Sequence, residues 1–175
     1  MSQFREMLYR RRSIRVFAER SVEREIVEKL IEAALLSPSS RSLKPWEFIL
    51  VDEPEKLKDL AASKQHGSSF LAKAPMAIVV VGMPGISDVW IEDCSIASLL
   101  IQLQAEALGL GSCWIQIRGR NHSDGLSSEE YVKGLLEIPP DRSVESIVAV
   151  GHPAESKPPY TREDLSFDKV RFNRY

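Results

Sequence analysis

With 175 residues and 43% hydrophobic side chains, the chain can bury a substantial core and sits in the size range of one domain. Its 23 basic and 25 acidic side chains nearly cancel, so no overall field draws it to nucleic acid or an anionic membrane, and any basic site has to be local. Cys94 and Cys113, the only cysteines, offer neither a disulfide framework nor a thiolate metal site, and His66, His122 and His152 have no paired-ligand spacing, so no metal is expected. The opening MSQFREMLYRRRSIRVF interleaves charge with apolar residues and lacks the apolar stretch of a signal peptide. No run of about 18 uncharged apolar residues occurs. The reading is a soluble protein of a reducing, cytoplasmic setting.

In chain order, residues 2–10 read as a short helix, followed by an arginine run. Ser21 looks like an N-cap, with Glu23 and Glu25 in the first turn and Val22, Ile26, Val27, Leu30, Ile31 and Ala34 at helical spacing. That helix stops before Pro38, and SPSSRSLKP, residues 37–45, is a loop feeding a strand over 46–52. A short helix over 55–63 and a flexible passage at Gly67 precede MAIVVVG, residues 76–82. This run is apolar on both faces and predicts a central strand covered on each side. Residues 91–108 form the longest helical pattern, capped by Gly109. Its apolar residues cover more than one face, which a chain this short cannot wrap completely, so the helix is expected at or near a dimer interface. Then come a strand (SCWIQIR), a polar loop with Asn121, His122, Asp124 and Gly125, a helix over 128–136 and a last strand over 144–151. Residues 153–175 read as an extended C-terminal arm of a single 1–175 domain. The order implies an α+β or α/β sheet flanked by helices.

Five arginines, Arg5, Arg10, Arg11, Arg12 and Arg15, lie within eleven residues, with Ser13 among the last three. Planar guanidinium forks and a hydroxyl so spaced can converge on a phosphate; the plainer alternative is a solvated cationic helix end. The Ser/Pro loop exposes hydroxyls and backbone N–H groups suited to the neutral polar atoms of a bound ligand, though by composition alone it is only a turn. LGLGSCW offers GxG at 109–111 but lacks the third glycine and runs from helix to strand, which excludes a Rossmann fingerprint. No GxSxG surrounds a serine, and both cysteines sit among packing residues.

Four segments, RRSIRVF at 11–17, SPSSRSLKPWEFILV at 37–51, GLGSCWI at 109–115 and VGHPAE at 150–155, together resemble the nitroreductase family in order and spacing, over nearly the whole chain. The resemblance implies an α+β fold, a central mixed sheet flanked by helices, and a homodimer with flavin mononucleotide (FMN) at the subunit interface. It implies that Arg11, Arg12, Ser13 and Arg15 bind the phosphate and ribityl-flavin edge, and that Pro38, Ser39, Ser40 and Ser42 reach the flavin from the other subunit. It further implies that Trp114, Ile115 and Gln116 line the ring's inner face, and that Arg171 or Lys169 adds a cation to the phosphate. Where the family loop carries Asn and Gln before Pro-Trp, this chain has Ser42 and Lys44. The implied activity is an FMN-dependent oxidoreductase that uses NAD(P)H to reduce nitroaromatics, quinones or similar acceptors by ping-pong hydride transfer. No side-chain nucleophile or metal is needed, because the cofactor carries the chemistry. The alternatives are reductive dehalogenation or flavin fragmentation on the same fold, or a non-enzymatic phospho-ligand module.

Overall fold

The computed structural model describes residues 2–123 and 125–175; Asp124 of the expected polar loop lies outside them. Five α-helices, α1 (Gln3–Arg10), α2 (Arg24–Leu35), α3 (Pro54–Ala61), α4 (Trp90–Ala107) and α5 (Ser128–Leu136), surround a sheet of β1 (Trp46–Val51), β2 (Met76–Gly82), β3 (Gly111–Gln116) and β6 (Ser143–Gly151). A small hairpin, β4 (Asn121–Ser123) and β5 (Leu126–Ser127), stands beside it. The spatial order is β1-β2-β6-β3.

β2 is buried along its whole length because both faces are covered, as its unbroken apolar run predicts. Ala77, Val79 and Val81 enter a core with α3 and α5; Met76, Ile78 and Val80 enter the opposite core with α2 and α4. The pairing differs from expectation: every strand neighbour in this sheet is antiparallel. β2 and β3, joined by α4, do run parallel, but β6 is inserted between them. The local pattern shows that a helix crosses over; it does not show which later strand fills the gap. An isolated bridge between Ser13 and Ser112 is parallel, so the N-terminal segment rather than a full strand supplies the mixed character.

Helix boundaries follow the sequence closely except at α2. Its N-cap is Glu23, not Ser21, and no side-chain hydrogen bond caps it. Arg20 takes the Glu23 carboxylate in an ion pair, and residues 18–23 run on without helix. α5 carries a full capping box between Ser127 and Glu130. α4 ends in a tight cap in which Leu110 N–H donates to Ala105 O at 2.8 Å, and Gly109 takes φ +75°, the left-handed value that glycine meets without penalty. No helix among the described residues is long and apolar enough to cross a membrane.

α4 has one side on the sheet and one side bare. Ala97, Ile101 and Ala105 are fully buried, whereas Ile96 and Leu99 are 39% and 46% exposed. The chain beyond Lys157 is exposed throughout, with Phe167, Val170 and Phe172 among its uncovered apolar residues.

Candidate functional site

Residues 11–18 lie in extended form between the start of β3 and the segment after β6. Ile14 N–H donates to Ser112 O at 2.9 Å, Ala18 N–H to His152 O at 2.9 Å, and Ala154 N–H to Val16 O at 2.9 Å. Ile14 and Phe17 face inward and are buried. The polar side chains between them are therefore turned away from the core. Close approach to β3 requires Gly111: a Cβ there would stand 2.7 Å from Ile14 Cγ2 and 2.8 Å from its Cβ. We expect Gly111→Ala to destabilise the fold by about 1–3 kcal/mol, read by chemical denaturation, since a packed branched side chain would have to shift.

Glu155 fixes this segment. Its Oε1 accepts from Arg15 N–H at 2.5 Å and Val16 N–H at 3.2 Å, bonds that hold its carboxyl below the usual carboxylate range. Lys157 pairs with Glu155 at 3.5 Å and donates to Ser13 O. Arg12 donates to Pro158 O and lies 4.5 Å over the Tyr160 ring, so it ties down the start of the arm. Arg10 pairs with Glu106 near the end of α4 at 2.6 Å. Arg11 and Arg15 make no ion pair among the described residues. A cleft of about 360 Å³, lined by Arg10, Arg12, Glu106, Gly109, Glu155 and Lys157 among others, opens beside them.

Further cations, for which the local sequence offers no signal, lie around β3. Burial raises the Cys113 thiol pKa, while Arg15, Lys157 and a hydrogen bond from Ser13 pull it down. Lys64 is half-buried; burial lowers its ammonium pKa, as does the charge of Arg120, and Cys113 opposes both. Arg15 and Lys157 thus bear on Cys113 near the start of β3, Lys64 is within reach of both Cys113 and Arg120, and of these four only Lys157 has a carboxylate partner among the described residues. The β4–β5 hairpin sets this geometry. His122 Nδ1 contacts Ala62 O at 2.7 Å, its ring stacks on Tyr131 at 4.0 Å, and Gln65 N–H reaches Asn121 O at 3.5 Å, which brings the loop carrying Lys64 to Arg120.

β3 is an edge strand. Ser112 O points away from β6, as its bond to Ile14 shows, so by strand alternation the N–H and C=O of Trp114 and Gln116 also face the open edge. The side chains of Trp114 and Gln116 are half-buried and joined by a 3.0 Å hydrogen bond from Trp114 Nε1 to Gln116 Oε1. The Ile115 side chain is 1% exposed in the α3/α5 core.

The Ser/Pro loop is built at the other end of α4. Ser40 N–H donates to the buried Asp93 at 2.9 Å, and Ser39 Oγ accepts from Lys44 N–H at 2.9 Å. Arg41, Ser42 and Lys44 take φ of 52°, 55° and 51°, three left-handed non-glycine residues in a span of four. Pro38 and Ser42 are exposed and Ser39 and Ser40 half-buried. From Asp93 to Glu106, α4 advances about 20 Å, so the loop and the arginine cluster of one chain lie at opposite ends of this helix. Arg171 keeps its contacts within the arm, at Asp168, Val170 and the Tyr175 ring, and Lys169 is exposed.

One buried acid lies behind β3. β6 carries a bulge: Val80 pairs with Ser146 and Val81 with Val144, which leaves Glu145 as the extra residue. Its side chain is 2% exposed and its Oε2 has no hydrogen-bond partner. Burial pushes this carboxyl above the usual range, against hydrogen bonds from Ser146 and Ser95 and the charge of Arg118. Below about pH 4.5, the ordinary glutamate value, folded and unfolded chains both hold the proton. As pH rises the unfolded chain ionises first, so folded stability declines until pH passes the raised value in the fold. Glu145→Gln removes that dependence. The melting temperature of the variant relative to wild type should therefore climb from pH 4.5 toward neutrality; a constant difference would show that the carboxyl titrates normally. Burial also raises both thiols, that of Cys94 up to about 12, which keeps them protonated and unreactive.

Comparison with known proteins agrees with this architecture. The model of the Nitroreductase family matches residues 8–68 and 53–152. A solved structure described as an FMN-dependent nitroreductase from Clostridium difficile R20291 superposes with a TM-score of 0.96 at 46% identity, covering 97% of this chain and 98% of that one. A candidate NADH dehydrogenase/NAD(P)H nitroreductase of Archaeoglobus fulgidus is 38% identical over 181 residues, 99% of this chain and 98% of its own length. Iodotyrosine deiodinase 1 of Mus musculus is 38% identical over a shorter segment of 67 residues, 24% of that protein. With a family model matching from residue 8 to residue 152 and a relative aligned end to end, the chain belongs to the nitroreductase family.

Proposed function

We propose that the protein is an FMN-dependent NAD(P)H oxidoreductase of the nitroreductase type, working as a homodimer. The observation that carries this reading is a group of cations left without carboxylates beside an open strand edge. Arg11, Arg15, Lys64 and Arg120 make no ion pair among the described residues. Cations without a carboxylate partner are free to take an anion, and an FMN phosphate with a charge-accepting ring fits that need. The free N–H and C=O groups of Trp114 and Gln116 suit the polar rim of the ring. Ser13 adds a hydroxyl. When bound, FMN supplies the hydride-accepting and hydride-donating chemistry. The chain's part is electrostatic: Arg15 favours negative charge on the pyrimidine side of the ring.

The dimer reading rests on α4. Its bare stripe of Ile96 and Leu99 continues into half-buried Leu103 at helical spacing, and Leu36 and Leu43, flanking the loop bonded to Asp93 at the start of α4, are exposed as well. A second copy with its α4 laid antiparallel would cover the stripe. It would also bring that copy's Pro38–Ser42 loop to this chain's arginine cluster, closing the separation of about 20 Å. In this reading residues 153–175 form an arm of a single domain that reaches over the partner, which accounts for the exposed Phe167, Val170 and Phe172. The two free cysteines suit a cytoplasmic setting.

NAD(P)H and a small acceptor, a nitroaromatic, a quinone or a similar compound, would use the open ring face in turn. The purified protein should be yellow, bleach anaerobically with NADH or NADPH and recover its colour with a quinone or nitroaromatic. A colourless protein that FMN neither binds nor stabilises against heat would refute the assignment. Reductive dehalogenation is the second reading, favoured by the segment shared with iodotyrosine deiodinase; halide release from a halophenol under the same conditions tests it.

A further inference from the structure

The orphaned carboxyl of Glu145 lies too close to the proposed flavin edge to be inert. The bulge in β6 inserts Glu145 out of the sheet's two-residue alternation: Val144 and Ile147, three positions apart, both enter the α3/α5 core, and the intervening pair serves the α4 side. There Ser146 meets Ser98 at 3.0 Å, and Ser95 Oγ lies 3.5 Å from Glu145 Oε1 while donating to Ile91 O at 2.7 Å. The backbone of Glu145 is joined directly to the end of β3. Its C=O accepts from Ile117 N–H at 3.2 Å and Arg118 N–H at 3.1 Å, and the next residue, Ser146, pairs with Gln116. The backbone that carries the acid is therefore one strand spacing, roughly 5 Å, from the strand whose free edge is proposed to line the ring, and about two spacings from the ring itself.

The groups that face this carboxyl leave it responsive. From α4 come Ser95, the Cys94 thiol and, further off, the Asp93 carboxylate; from β6 the Ser146 hydroxyl; from the turn after β3 the Arg118 guanidinium. Glu129 of α5 is occupied with Val144 N–H at 3.3 Å. Arg118 is the one cation in this set, and it is exposed at the surface. No buried positive charge fixes Glu145 as a carboxylate, and no partner satisfies Oε2. A group so placed changes its protonation when the charge beyond β3 changes, because protein rather than bulk water fills most of the space between them.

We propose that Glu145 is a redox-linked proton acceptor: as a hydride, two electrons with one proton, enters the flavin site from NAD(P)H, the Glu145 carboxylate binds one further proton from solvent, and it releases that proton when the hydride leaves for the acceptor. One negative charge enters and one is neutralised, so the buried layer gains no net charge. The inference rests on the proposed function, since it requires FMN at the β3 edge. Glu145 acts through its field and touches no substrate.

The test is a potentiometric titration of the FMN-loaded protein over a series of pH values, wild type against Glu145→Gln. For a two-electron couple each linked proton contributes about 30 mV per pH unit. Wild type should show that additional slope over the window in which Glu145 titrates, and the variant should lack it while binding FMN with unchanged affinity. Parallel slopes would overturn the inference while leaving the proposed function standing. If the variant does not fold, infrared difference spectra of the wild type, reduced minus oxidised at the alkaline end of the series, decide the matter. A protonated-carboxyl C=O band must grow on reduction and shift when glutamate is labelled with ¹³C, and its absence overturns the inference. Wild-type protein that takes up no flavin removes the underlying reading, and this one with it.

Discussion

Replacing Arg11 and Arg15 together by Ala is expected to strip FMN from the protein and leave its fold standing. The two effects separate because of how residues 11–17 are held. Ile14 and Phe17 carry the packing, and the bonds to Ser112, Glu155 and Ala154 are made by backbone groups that the substitutions keep. The two guanidinium groups contribute no ion pair among the described residues, so their loss removes little native interaction. Toward a phosphate or a charged ring they matter far more. A hydrogen bond to a charged group contributes about 1.5–3 kcal/mol, so losing two predicts a drop of about 3–6 kcal/mol, or roughly 10²- to 10⁴-fold in affinity. Equilibrium dialysis should show that drop, with the melting temperature of the flavin-free variant within a few degrees of flavin-free wild type. Arg12→Ala should behave differently. Its guanidinium is engaged with Pro158 O and the Tyr160 ring, so the variant should loosen the arm, seen as faster proteolysis after residue 157, with a smaller loss of FMN. Full retention of colour in the Arg11/Arg15 variant would place the phosphate elsewhere.

That contrast among three adjacent arginines marks where the sequence stops being readable. The residue types and their spacing announce a phosphate site, but which guanidinium is free depends on where residues 155–160 pass, some 145 positions later in the chain. The central strand and the long helix were legible because their apolar patterns are set by local periodicity. Ser21 misled as a cap because residues 18–23 run on without helix and the helix begins only at Arg24, after a Glu23 whose carboxylate is paired with Arg20. Lys64 carried no local signal at all. Its position comes from a hairpin whose two strands span three and two residues, and from a histidine stacked on a tyrosine of another element. Glu145 reads as the one charged residue in a largely apolar strand; only the register shows that it is an insertion, and only the tertiary packing shows that it is buried. Ile115 illustrates the converse, since a position that the family resemblance places at the ring has its side chain in the core and only its strand at the edge.

The separation of the loop from the arginine cluster leads to the other large effect, Leu99→Arg. In the proposed dimer the two copies of α4 cross along the stripe of Ile96 and Leu99, so one substitution places two like charges in a single apolar contact. Unpaired buried charge costs several kcal/mol, enough to raise the dimer dissociation constant at least 10³-fold. Within a folded monomer the same position is 46% exposed, so the arginine reaches water and the chain should stay folded. The expected product is a monomer by light scattering, with native circular dichroism and no flavin, because the Pro38–Ser42 loop that completes the site belongs to the lost partner. Loss of the dimer with retention of FMN would refute a shared site. Complementation gives a stricter test. Arg11→Ala/Arg15→Ala protein and Ser40→Trp protein, in which the ring would meet an indole on the loop, should each be colourless. After unfolding and refolding together, half the dimers should be mixed. A mixed dimer contains one site with both defects and one site with neither, so a shared site predicts one FMN in every mixed dimer, or about one quarter of the sites in the whole sample. Sites confined to single chains predict none, because every chain carries a defect.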